Sequence, residues 1–94
     1  MNTPSFEGAA RPRRGAGMAW QTIDGETVLL DISSRELCGV NEVAARIWAL
    51  CDGEHSVDQI AAAIAREFAV APEVAAADAR AFIGELLASG ALEL

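Results

Sequence analysis

Cys38, Cys51 and His55 are the residues of this 94-residue chain best suited to nucleophilic, redox or metal chemistry, and their placement argues against all three. A thiol or hydroxyl nucleophile needs a base within hydrogen-bond reach. Here no Ser or Cys is paired by sequence context with a plausible base, the chain has no lysine, and the single histidine falls in a linker between two predicted helices, where it faces water. Structural zinc takes four well-spaced ligands. Cys51 and His55 straddle a helix end, and no CxxC or HxxxH pair is present, so no metal site is expected. Two cysteines are also too few for a disulfide scaffold, and both are expected as buried free thiols. A phosphate-binding loop needs glycines that open a helix after a strand. Gly8, Gly15, Gly17 and Gly25 are not so arranged, so no nucleotide cofactor, and no cofactor of any kind, is expected.

With catalysis set aside, the elements that would present a binding surface are organised around Leu29 to Trp48, where the pattern changes from strand to helix. Met18 to Ile23 and Glu26 to Ile32 read as strands joined by Asp24-Gly25, a two-residue hairpin turn that sets Trp20 opposite Leu29 and Ala19 opposite Leu30. Val28, Leu30 and Ile32 share one face and are the expected core side, leaving Trp20 and Leu29 on a half-exposed side. Ser33-Ser34-Arg35 makes the next turn, and Glu36 to Val40 a third strand. That strand passes straight into a helix instead of turning back, which makes it the exposed sheet edge. Gly39 weakens it unless a bound peptide must come close or the strand ends in a bulge.

Asn41 is a good N-cap for a first helix from Glu42 to about Cys51, ended by Gly53. Ser56 and Gln59 fit a capping box opening a second helix to about Phe68. Pro72 suits the first turn of a third, which runs to about Ser89 and stops at Gly90. In that helix Ala75, Ala79, Phe82, Ile83 and Leu86 recur on one arc, with Asp78, Glu85 and Ser89 in a polar stripe beside it. The fold class is therefore α+β and winged-helix-like: a three-stranded antiparallel sheet followed by three helices, in one domain over residues 18–94. Residues 1–17, rich in Gly and Pro and without periodicity, read as a flexible N-terminal tail carrying Arg11, Arg13 and Arg14.

The net charge of −7, with 7 basic and 14 acidic residues, opposes a nucleic-acid partner, because phosphate binding depends on clustered positive charge. No apolar run reaches the ~20 residues that span a bilayer, and no signal peptide is evident, so the protein is expected to be cytoplasmic. A winged-helix scaffold usually sets its third helix in a DNA groove. Here that helix offers Arg80 against Glu73, Asp78 and Glu85, and what remains useful is an open strand edge beside a helix, to which an extended peptide can add.

The segments GETVLLDI, VNEVAARIWALCDG, SVDQIAAAIAREF and DARAFIGELLASGALE, in that order, resemble the PqqD-like proteins, the peptide-recognition domains of ribosomally made, post-translationally modified peptide (RiPP) pathways. The resemblance covers roughly Trp20 to Leu92. It implies a non-catalytic chaperone that captures the leader region of a precursor peptide by strand addition to the third strand, beside the third helix. The implied partners are that leader and a maturation enzyme such as a radical SAM protein, a leader protease or a cyclase, in the pyrroloquinoline quinone, lasso-peptide or another pathway. Carried onto this chain, the groove is lined by Leu37, Cys38, Gly39 and Val40 on one side and by Val74, Asp78, Ala81, Phe82 and Glu85 on the other. Relatives often carry a Gly in the turn and aromatic residues in the strand, where this chain has Arg35, Leu37 and Cys38. A winged-helix DNA-binding regulator and a module that homodimerises through the same open edge are the alternative readings. Under strand addition, proline at Cys38 or at Gly39 is expected to weaken peptide binding more than it harms the fold.

Overall fold

The computed structural model describes residues 6–94. Strands β1 (Arg13–Arg14), β2 (Met18–Ile23), β3 (Glu26–Asp31) and β4 (Glu36–Val40) precede helices α1 (Glu42–Leu50), α2 (Val57–Glu67) and α3 (Pro72–Ser89), and β5 (Leu92–Glu93) ends the chain. The main sheet is antiparallel in the order β2-β3-β4, and β1 pairs with β5 in a small second sheet. This is the expected α+β, winged-helix-like arrangement.

Local chemistry accounts for the boundaries. The β2–β3 turn needs positive φ at both central residues, and Asp24 (52°) and Gly25 (81°) supply it. Asp31 Oδ1 accepts from the Ser33 and Ser34 N–H groups and from the Ser33 hydroxyl, which folds the β3–β4 turn back on itself. Asn41 caps α1 by accepting from Ala44 N at 2.8 Å. Ser56 and Gln59 form the complete capping box at α2, and Gly90, at φ 84°, ends α3.

The core lies between the three helices and one face of the sheet. Ile47, Trp48, Ile60, Ile64, Ala75, Ala79 and Ile83 are buried together, and Leu29 joins them from β3 at 2% exposure. This reverses the sheet face expected from sequence. Val28 and Leu30 are only half-buried and Ile32 is 54% exposed, because they point away from the helices. Both faces of the hairpin are apolar, so alternation alone does not choose between them. The choice falls to the face carrying Trp20, whose ring meets Trp48 edge-on at 5.5 Å, and Met18, packed on the core. Thr27 is buried on that side, and its hydroxyl is satisfied by the Thr22 hydroxyl at 2.8 Å.

A second correction concerns the N-terminal segment. Residues 1–5 lie outside the described residues, but residues 6–17 are packed against the domain. Pro12 is fully buried, Phe6 and Ala10 pack on the core, and Arg13 and Arg14 pair with Glu93 and Leu92 across the β1–β5 ladder. Two of the three tail arginines are committed internally. Arg13 bonds Glu93 at 3.1 Å, while Arg14 donates to the carbonyls of Trp48 and Ala49 and lies over the Trp20 ring at 4.9 Å. Helix α1 has no basic residue in its own last turn, so Arg14 supplies the cation that its C-terminal carbonyls favour. Replacing Arg14 with Ala is expected to cost about 1–2 kcal/mol, read as a lower denaturation midpoint at unchanged slope.

Candidate functional site

The residues with chemical potential do not converge. Cys51 is fully buried at the end of α1, and burial pushes its thiol up to about 12, so it is not a nucleophile at neutral pH. His55 is held by the Asp52 carboxylate at 2.8 Å, a contact that brings Asp52 down to about 2. Cys38 is exposed on β4, which corrects the expectation that both thiols are buried. Among the described residues no group of three or more His, Cys, Asp or Glu side chains is placed to hold a metal ion.

Among the described residues strand β4 pairs on one side only, with β3, and its other side is the free edge of the sheet. Which of its backbone groups face that edge follows from the ladder. Pairs in an antiparallel ladder alternate between hydrogen-bonded and non-hydrogen-bonded, and Ile23 and Glu26, flanking a two-residue turn, form a hydrogen-bonded pair. Val28 and Leu30 therefore direct their N–H and C=O groups at β2, whereas Thr27, Leu29 and Asp31 direct theirs at β4. Two bonds beyond the strand ends fix the same phase. Ile32 N donates to Gly17 O at 3.0 Å on the β2 side, and Asp31 O accepts from Arg35 N at 2.7 Å on the β4 side. In β4, then, Glu36, Cys38 and Val40 are bonded to β3, and Leu37 and Gly39 present their N–H and C=O groups to the open edge. Cys38 contributes no edge donor, so the expectation that proline acts alike at Cys38 and Gly39 is corrected for Cys38.

Side chains alternate oppositely. Those of Cys38 and Val40 point to the helix side with Leu29, and those of Leu37 and Gly39 to the outer face with Leu30 and Val28. On the helix side the edge opens into a cleft of about 320 Å³ between β4 and α3. Leu37, Cys38 and Val40 border it from the strand and Phe82 and Glu85 from the helix, over a floor that includes Leu29. A neighbouring cleft of about 360 Å³ continues along α3 past Asp78, Ala81, Phe82 and Glu85, facing the cap residue Asn41 and Val43 and Ala44 of α1. Phe82 and Glu85 line both, so the two clefts adjoin along α3 and are together called the channel below.

Seven of the nine residues named from sequence thus meet along this channel. Gly39 lies on its strand but turns its open side to the outer face. Val74, 50% exposed one turn before Asp78, borders neither cleft. Sequence reasoning missed the contribution of α1 and of Leu86. The signals were present: the strand enters α1 at Asn41 without a linker, and Leu86 follows Phe82 at i+4. The α3 side of the channel is acidic through Asp78 and Glu85. Arg80 is turned away from it, over the Phe6 ring at 5.5 Å and 3.9 Å from Asp58.

Comparison with known proteins places this arrangement. A PqqA binding protein of Rhizobium meliloti (strain 1021) is 35% identical over 81 residues, which cover 86% of this chain and 81% of that protein. Among solved structures, TbiB1 in complex with the TbiA(beta) leader peptide superposes with a TM-score of 0.76 at 28% identity, covering 86% of this chain and 94% of that one. Lasso peptide synthetase B1 complexed with the leader peptide gives 0.79 at 27% identity, covering 90% of this chain and all of that one. The family described as Coenzyme PQQ synthesis protein D (PqqD) matches residues 26–92, from the start of β3 through all three helices to the start of β5, and with the relative above this makes the chain a member of the PqqD family.

Proposed function

We propose that this protein is a non-catalytic chaperone that captures the leader of a ribosomally made precursor peptide and presents it to a maturation enzyme in the cytoplasm. The observation that carries this reading is the free edge of β4, with the backbone groups of Leu37 and Gly39 unpaired above a channel that α3 closes from the side. The leader adds as a fourth strand, taking affinity from main-chain bonds to Leu37 and Gly39 and selectivity from side chains received in the channel. Phe82, Val40 and Cys38 receive apolar side chains, and Asp78 and Glu85 receive basic ones. The relatives named for binding PqqA or a leader peptide support the assignment. The acidic α3 supports a peptide over DNA, and among the described residues no helix is long and apolar enough to cross a membrane.

Isothermal titration with the PqqA peptide of Rhizobium meliloti and with the TbiA(beta) leader, beside a mobility shift on duplex DNA at physiological salt, tests this reading. Saturable binding of at least one peptide and no DNA retardation are expected. Salt-sensitive retardation of a specific duplex, with neither peptide bound, would reverse the assignment. Within the same titration, Asp78→Arg should weaken a basic leader a few-fold at low ionic strength and less at high, since the Debye length falls from ~30 Å at 0.01 M to ~3 Å at 1 M salt. A leader without basic residues should not distinguish the two proteins.

A further inference from the structure

Gly39 has no conformational reason to be glycine. The glycines with positive φ are Gly25, Gly53 and Gly90, and Gly39 is not among them. The β3–β4 register runs unbroken from Thr27 opposite Val40 to Asp31 opposite Glu36, so Gly39 marks no bulge. A Cβ placed there would meet nothing within 4 Å. Glycine in a strand interior costs stability relative to a β-branched residue, and here nothing in the free protein requires that cost.

Its missing side chain would stand on the outer face of the sheet, with apolar neighbours on the side of Leu37 and Leu30 and polar ones, Glu26 and Asn41, on the side of the β2–β3 turn. Val28 lies directly opposite on β3, and Leu37, two residues away on the same strand, is 71% exposed. Val28, Leu30 and Leu37 also border a shallow outer-face cleft of about 270 Å³ that continues over β2 to Ala19 and Ile23. An exposed leucine and a bare backbone, side by side on a free edge, leave a notch at the place where an added strand would put its own side chains.

We propose that Gly39 determines specificity for the bound strand, by leaving a notch between Leu37 and Val28 that takes a large apolar, preferably aromatic, side chain of the residue facing Gly39 across the edge. This rests on the strand-addition reading above. Residues facing each other across an antiparallel pair have Cβ atoms ~4.5–5.5 Å apart, and diagonal neighbours at ~7–8 Å stay within reach of aromatic side chains. With no Cβ in the way, a ring can lie across Gly39 to touch Val28 while its edge covers Leu37. Any β-carbon at position 39 would lift it off. The bound peptide then presents two alternating sets of side chains. The residue facing Cys38 enters the channel against Phe82, and the residue facing Gly39 folds over the outer face.

The experiment is selection of a random peptide library, roughly twelve residues long and displayed on phage, against the immobilised wild-type protein and its Gly39→Val and Gly39→Pro variants. Affinities of the selected sequences are then measured as synthetic peptides. Wild-type protein should enrich Phe, Tyr, Trp or Leu at one fixed place in an alternating pattern. Gly39→Val should melt at the same temperature or higher, bind those peptides at least tenfold more weakly, and itself enrich Gly, Ala or Ser at that place. Unchanged affinity, or the same side-chain preference in Gly39→Val, would overturn the notch while leaving strand addition standing. Undiminished binding by folded Gly39→Pro would overturn strand addition and the notch together.

Discussion

Proline at Gly39 should weaken leader binding about a hundredfold in a protein that still folds, whereas proline at Cys38 should destabilise the fold itself, although the two residues are neighbours on one exposed strand. Gly39 N–H points to the free edge, so its loss leaves the β3–β4 ladder intact. In the complex the same change leaves a leader carbonyl without its donor and sets the ring against the incoming backbone. A missing net hydrogen bond is worth about 1 kcal/mol and a stranded buried partner about 1–3, so affinity should fall by roughly two orders of magnitude. Leu37→Pro should act in the same way on the second edge donor. At Cys38 the N–H belongs to the ladder with Leu29, one of the most deeply buried side chains of the sheet. Proline there costs about 3 kcal/mol or more, a large fraction of the roughly 5–15 available to a small domain. Circular dichroism melts of the three variants, followed by titration of those that fold, make the check. Equal loss of binding in folded Cys38→Pro and Gly39→Pro would show that the edge phase is wrong.

The sequence carries the elements of the fold more clearly than it carries their orientation. Turn and cap residues act locally, so Asp24-Gly25, Asn41, the Ser56–Gln59 box and Gly90 each announce their element without reference to the rest of the chain. The edge position of β4 is legible for a similar reason, since the chain leaves it directly into α1. The buried face of the sheet is a different kind of fact. Val28, Leu30 and Ile32 are as apolar as Trp20, Leu29 and Val40, and the decision depends on which set meets Ile47 and Trp48, side chains of a helix that alternation within the hairpin does not see. The phase of the edge follows from a rule of antiparallel pairing, and it can be reached from sequence once the two-residue turn is accepted and the ladder is counted from it. Counted that way, Leu37 and Gly39 separate from Cys38 by parity alone. The α1 wall of the channel and the role of Arg14 depend on packing between distant segments, which no local pattern encodes.

Deleting residues 1–15 should lower the melting temperature by more than about 10 °C, against the behaviour of a dispensable tail. Besides the β1–β5 ladder, six backbone hydrogen bonds tie residues 8–15 to the rest of the domain: Val57 N to Ala10 O, Asp58 N to Gly8 O, Gly53 N to Pro12 O, Arg14 N to Cys51 O, Gly15 N to Ala91 O, and Met18 N to Gly15 O. The first two fall where α2 is short of partners. A helix leaves its first N–H groups without intrahelical acceptors, and Ser56 satisfies only that of Gln59, so the carbonyls of Ala10 and Gly8 complete the cap. At the other end of the same segment, the Arg14 guanidinium satisfies the last carbonyls of α1. Pro12, fully buried, would leave a gap against the core, and β5 would lose its only strand partner among the described residues. At about 0.5–1 kcal/mol per net hydrogen bond, before any apolar surface is counted, the loss is roughly 3–5 kcal/mol, and each kcal/mol shifts the midpoint of a domain this size by about 4–8 °C. The channel and the edge of β4 receive nothing from residues 6–15, so at a temperature where the shortened protein is still folded, its affinity for a bound peptide should match that of the whole chain. A melting temperature within about 2 °C of the parent would show that the segment packs without stabilising; weakened binding by the folded, shortened protein would place part of the peptide site on the N-terminal segment itself.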